Sequence, residues 1–293
     1  MGRRAHSCNV VNTRNPLMKS PIDLLPGAAR RFGHKVFSTI LANRGIRLAP
    51  TLRSAEVQAA LTLDPSQASR PPENPAIARL IASALARTDK PASRELFQLD
   101  GKPLPCWQPD DLEPGDDWLT AENYYPLYHA LFRTLADGKA TTRMLEIGVR
   151  TGYMAAAFAK AAPARCFYLG VDPNLYVGNG LALASATLRL LREHNSAFDF
   201  ALMQGYSGEA DMQDSIRHTA PFDIIHIDGD HTLNGKLIDL DLARRILTSG
   251  GFVLVDDFDH VGIVSQAIER AFSLGWYREF AYAPTKRGLA ILR

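Results

Sequence analysis

Cysteine is scarce in this chain: three residues in 293, Cys8, Cys106 and Cys166, with no C-x-x-C pair. That excludes a zinc knuckle and a disulfide framework, and it makes a reducing compartment the simpler expectation. Long apolar runs are missing too. No stretch approaches the ~20 residues that cross a bilayer, and Met1-Gly2-Arg3-Arg4 is not followed by the apolar segment of a secretory signal. A net charge of +2 gives no general case for a nucleic-acid partner. Glycine and proline are near average and 46% of residues are hydrophobic, which excludes wholesale disorder and collagen-like repeats. The expectation is a cytoplasmic globular protein with no nucleic-acid partner and no stable membrane insertion.

What charge there is sits unevenly. Residues 1–50 hold nine Lys/Arg against one acid, Asp23. Arg30, Arg31, Lys35, Arg44 and Arg47 are spread among Phe32, Val36, Phe37, Ile40 and Leu41. A basic amphipathic helix on an anionic surface is one reading of this pattern; a helix with a solvated basic face is the preferred one. Helical patches fall at about 22–44, 54–62 and 75–87, separated by Pro50, Pro65, Pro71-Pro72 and Pro91. Residues 99–117 are turn-rich and acidic. Residues 1–118 therefore read as a helical accessory region ending in a linker or lid, suited to shaping an acceptor site or a homo-oligomer contact.

From 119 the texture changes. A helix is expected from Thr120, as N-cap, to about Leu135. Apolar runs then alternate with amphipathic helices: 143–148, 167–172, 201–204, 222–228 and 251–256 read as strands buried on both faces. Such alternation predicts a doubly wound, mostly parallel sheet covered by helices. Residues 277–283 and 288–292 have only Pro284-Thr285-Lys286-Arg287 between them, which predicts a terminal antiparallel hairpin.

The first of these strands ends Glu146-Ile147-Gly148-Val149-Arg150-Thr151-Gly152. Glycine directly after a strand lets the backbone turn sharply and approach a ligand closely. A dinucleotide fingerprint needs a second glycine where this chain has Arg150, and no G-K-[ST] follows, so neither NAD nor a phosphate-cradling loop is expected. An acid followed by G-x-x-x-G resembles the first motif of the class I S-adenosylmethionine (SAM)-dependent methyltransferases. The resemblance spans 119–293 and implies a Rossmann-like sheet of seven strands. It also implies that Gly148, Thr151 and Gly152 line the methionine part of SAM and that Glu146 anchors the loop or the ammonium. Asp172, ending the second strand, would take the ribose hydroxyls, since a carboxylate is acceptor-only. Gly205 and Ser207 fall where that family contacts adenine.

Two further strands end Ile227-Asp228-Gly229-Asp230-His231 and Val255-Asp256-Asp257. As neighbours ~4.8 Å apart, their carboxylates would repel one another and rise in pKa, which a hard divalent cation such as Mg²⁺ relieves. The layout resembles metal-dependent small-molecule O-methyltransferases of the catechol and sugar types. Asp228, Asp256 and Asp257 are then implied as metal ligands, with Asp228 also at the SAM site and in the catalytic group, and His231 as proton acceptor. The stretch also resembles an "I-D-G-D-H-S-Y" group of methyltransferases, with Leu233 in place of the tyrosine. Trp107, Trp118, Tyr124 and Tyr125 are candidates for walling an acceptor pocket, and Glu122 or Tyr124 for the amino-acid end of SAM. The resulting expectation is methyl transfer to a hydroxyl of a small molecule, such as a sugar-bearing natural product. Transfer to carbon or nitrogen, or a non-catalytic SAM-binding scaffold, remain the alternatives.

Overall fold

Residues 54–108, 124–162, 165–174 and 179–293 are described by a computed structural model. All of them belong to one unit, Leu48–Arg293. The basic stretch of residues 1–50, the acidic run from 109, Trp118, Thr120 and Glu122 lie outside the described residues.

Seven strands form the central sheet: β3 (Thr141–Ile147), β4 (Arg165–Asp172), β5 (Phe198–Gln204), β6 (Phe222–Ile227), β7 (Leu247–Val255), β8 (Phe280–Ala283) and β9 (Leu289–Leu292). Their order is β5-β4-β3-β6-β7-β9-β8. The first five are parallel, and β9 runs antiparallel to both β7 and β8. This is the doubly wound sheet with a terminal hairpin read from the sequence. A two-stranded ribbon, β1 (Gln98–Leu99) with β2 (Lys102–Pro103), stands apart.

Strand polarity explains the layers. Met144, Tyr168, Ile224 and Leu254 face one cluster; Leu145, Leu169, Ile225 and Val253 alternate with them to face the other. The first cluster is closed by α2 (Pro75–Ala86), α4 (Tyr125–Ala136), α5 (Tyr153–Ala161) and α6 (Gly180–His194). The second is closed by α1 (Ala55–Thr62), α7 (Ala210–Thr219), α8 (Leu233–Ile246) and α9 (Gly262–Ser273). A short helix, α3 (Ser93–Leu96), leads into Phe97, which is fully buried in the first cluster. The described residues before 109 thus enter both cores rather than only flanking them.

One helix start differs from its expectation. The helix read from Thr120 is described from Tyr125, with Pro126 in its first turn. Proline has no N–H to donate and clashes inside a helix, so position 126 is tolerated only near the start.

Candidate active site

Winding reverses at β3, which lies between β4 and β6. In open α/β sheets ligands bind in the crevice beyond the strand tips at such a point. The register brings the tips level: Ile147 pairs with both Val171 and Ile227, and Ile227 with Val255. Gly148, Asp172, Asp228 and Asp256 therefore emerge side by side. Gly148 has φ +94°, and a Cβ there would lie 2.3 Å from the Asp228 carbonyl oxygen. Only glycine allows β3 and β6 to end so close together.

One open cleft is lined by Glu146, Gly148, Arg150, Asp172, Asp228, His231 and Asp257, together with Tyr124, Tyr125, Tyr153 and Arg287. Trp107 stands behind this wall, stacked on Phe97 at 5.3 Å between centroids and edge-on to Tyr153. Thr151, Gly152, Gly205, Ser207 and Asp256 do not line the cleft.

The glycine loop is held by its own acids. Asp172 is buried; its Oδ2 accepts from the Arg150 backbone N–H at 2.8 Å and its Oδ1 from that of Asn174. A carboxylate offers about four lone-pair sites, so hydroxyl protons can still be accepted. Glu146 is buried, accepting from the Tyr168 hydroxyl and facing His226 Nδ1 at 3.5 Å. Burial pushes the Glu146 carboxyl above its usual range despite those two partners. The Thr151 hydroxyl is buried with no hydrogen-bond partner, an unfilled polar position within the loop. Ser207 instead donates to Asp239 Oδ1 on α8, tying the loop after β5 to that helix.

At the other end, His231 Nε2 lies 3.1 Å from Asp257 Oδ2 and 3.7 Å from Asp228 Oδ1. Bonds to Asp228 and Asp257 hold the imidazole up to about 9, so it carries a proton at neutral pH. Burial opposes ionisation of Asp228, but the His231 bond and the charges of His226 and Lys236 win and keep its carboxyl low. Lys236, on α8, is fully buried with no hydrogen-bond partner for Nζ.

The three acids are not disposed as the sequence suggested. Asp256 Oδ2 accepts from the buried Tyr124 hydroxyl, and burial, followed by repulsion from Asp228 and Asp257, raises its carboxyl to about 6. Asp257, at φ +64°, turns instead toward His231 and Arg287, whose Nη2 donates to Oδ2 at 2.9 Å. Among the described residues, the potential ligand atoms lying within 4.8 Å of one another belong to Asp228, His231 and Asp257. His231 thus takes the place given to Asp256. Asp257 Oδ1 is buried without a hydrogen-bond partner, so the donor chemistry of this cluster fits a hard cation even though Arg287 already faces Asp257.

Arg287 and His226 escaped sequence reasoning. A polar residue inside the apolar run Phe222–Ile227 was a usable signal for His226. Arg287 gave none, because it sits in a turn and meets Asp257 only through the fold.

Residues 145–258 match a protein family described as "Methyltransferase domain". That stretch, from β3 to just past the end of β7, is similar to such a domain. A curated relative, "O-methyltransferase ankF" of Aspergillus thermomutatus, is 28% identical over 144 residues, 48% of this chain and 55% of its own length. The chain therefore spans about half the length of that relative. Among solved structures, the chain is similar to SAH-bound Podospora anserina methyltransferase PaMTH1, with TM-score 0.44, 17% identity, and 77% and 98% of the two chains covered. Another is the apo structure of CalS11, TDP-rhamnose 3'-O-methyltransferase, with TM-score 0.45, 17% identity, and 79% and 99% covered. No helix among the described residues is long and apolar enough to cross a membrane.

Proposed function

We propose that this chain transfers the methyl group of SAM to a hydroxyl of a small molecule, with a divalent cation such as Mg²⁺ at Asp228 and Asp257. The observation that carries the reading is one cleft in which a glycine loop and buried Asp172 face Asp228, His231 and Asp257 from neighbouring parallel strands.

Bound at the loop, SAM supplies an activated sulfonium methyl. Gly148 lets the backbone approach its amino-acid end closely, and Asp172 offers acceptor sites to the ribose. Asp228 and Asp257 would hold a divalent cation, whose positive charge would acidify an acceptor hydroxyl and offset the acids that hold the His231 proton. His231 Nε2, once it has released the proton it holds against Asp228 and Asp257, would accept the hydroxyl proton. Tyr124 and Tyr125, at the N-terminus of α4, exclude water from that end. A sugar-bearing natural product is the acceptor class we favour, on the resemblance of the acid and histidine spacing to sugar-type enzymes.

The ligand-atom cluster supports a second reading, in which His231 is itself a cation ligand and not the base. Mn²⁺ binding to His231→Ala separates the two, since a base leaves binding intact and a ligand does not. For the main proposal, the chain is incubated with SAM, Mg²⁺ and a panel of hydroxylated small molecules. O-methylated product that disappears in EDTA and returns with Mg²⁺ is expected. SAM binding with no methyl transfer across the panel would favour the scaffold, and turnover undiminished in chelator would remove the cation.

A further inference from the structure

We infer that Arg287 is a positioning residue that competes with the divalent cation for the Asp257 carboxylate, so that loading the cation requires this ion pair to open. The inference rests on the cation reading above.

Asp257 is fully buried, and both of its oxygens already face cationic groups. Oδ2 meets Arg287 Nη2 at 2.9 Å and His231 Nε2 at 3.1 Å, and Oδ1 touches Arg287 Nε. A cation taking Asp257 competes with both partners for that carboxylate. His231 can give up its charge by releasing a proton. A guanidinium cannot, because it stays protonated at any accessible pH. Arg287 can give way only by moving.

Two features let it move. Arg287 Nε and Asp257 Oδ1 are an ion pair in which neither atom has a hydrogen-bond partner. The backbone of the turn is held independently of the side chain, since the Arg287 carbonyl accepts from the Asp259 N–H and the Gly288 carbonyl from the Phe258 N–H, each at 3.1 Å. The guanidinium can swing on its stem into the cleft it lines without unseating the turn between β8 and β9. Until it does, its charge repels an incoming cation across a half-buried gap, where screening is weak.

Mn²⁺ affinity of the full chain, read from the free-ion EPR signal, tests this on wild type, Arg287→Gln and Arg287→Lys. Arg287→Gln should bind Mn²⁺ at least about tenfold more tightly, while Arg287→Lys, which keeps the charge, stays within about threefold of wild type. SAH binding by calorimetry reports whether the variants are folded. If Arg287→Gln loses SAH binding, wild type alone carries the test: saturating Mg²⁺ should shift the Arg287 Nε–H resonance, assigned by its loss in Arg287→Lys. An Arg287→Gln variant that binds Mn²⁺ no more tightly than a Mn²⁺-binding wild type overturns this inference and leaves the cation reading standing. An unmoved Nε–H resonance at saturating Mg²⁺ does the same. No Mn²⁺ binding by either protein overturns both.

Discussion

His231 and Asp239 show how burial and neighbours set the chemistry of single side chains. If His231 is the base, His231→Ala should lower kcat by about 10²–10⁴-fold while leaving the SAH dissociation constant unchanged. Near-normal kcat in stopped-assay kinetics would remove the role. Asp239 makes a different prediction. Burial lifts its carboxyl to about 7 from an ordinary 3.8, although Ser207 donates to it. An acid raised in the folded state favours folding while protonated. That contribution is complete below the unfolded value and is lost as pH climbs through the folded one. Asp239→Asn should therefore gain about 2–4 kcal/mol relative to wild type between pH 4 and pH 8, measured by urea unfolding at both. A gap of equal size at the two pH values would contradict the buried charge. At this scale the sequence placed several side chains through where their strands end. Gly148, Asp172, Asp228, His231 and Asp257 all reach one cleft. It was illegible wherever a side chain chooses between partners, as Asp256 does with Tyr124 and Asp257 with Arg287.

Elements carry the site through their ends, and the β3 tip is the most constrained. A Cβ on Gly148 would meet only backbone: the Asp228 oxygen at 2.3 Å, its carbonyl carbon at 2.6 Å and the Gly229 nitrogen at 2.8 Å. No rotamer change relieves such a clash, so the β6 tip would have to shift. Gly138 is a matched control, with φ +70° and open space around its Cβ position. Gly138→Ala should cost about 1 kcal/mol for the left-handed backbone alone, and Gly148→Ala about 3 kcal/mol or more, with SAH binding lost. Thermal melts and calorimetry on both variants check this. Equal costs would mean that the strand tips can part without harm. The same logic explains why the element map could be read in advance. Five apolar runs alternating with helices admit few topologies. The start of α4 was misplaced because Thr120 looked like a cap, whereas Pro126 sets the actual limit.

At the scale of the whole molecule, the question is whether residues 54–108 form a separable appendage or part of one cooperative body. Phe97 decides it physically. It is fully buried, stacks on Trp107, and meets Tyr125 and Tyr153 edge-on, each at 5.0 Å between centroids. Both tyrosines line the cleft, so the packing of the early segment and the shape of the candidate acceptor site share the same rings. Removing the ring leaves a cavity that α4 and α5, fixed on the sheet, can only partly close. Phe97→Ala should therefore cost about 3–5 kcal/mol. The loss should appear as a single unfolding transition at lower temperature, because both cores unfold together. Leu190, 39% exposed on α6, is the control, and its truncation to alanine should change stability by no more than about 0.5 kcal/mol. Calorimetric scans distinguish the outcomes. A second, early transition in Phe97→Ala with the main one unmoved would mean that the early segment unfolds independently, and that the cleft owes its shape to the sheet and α4 alone.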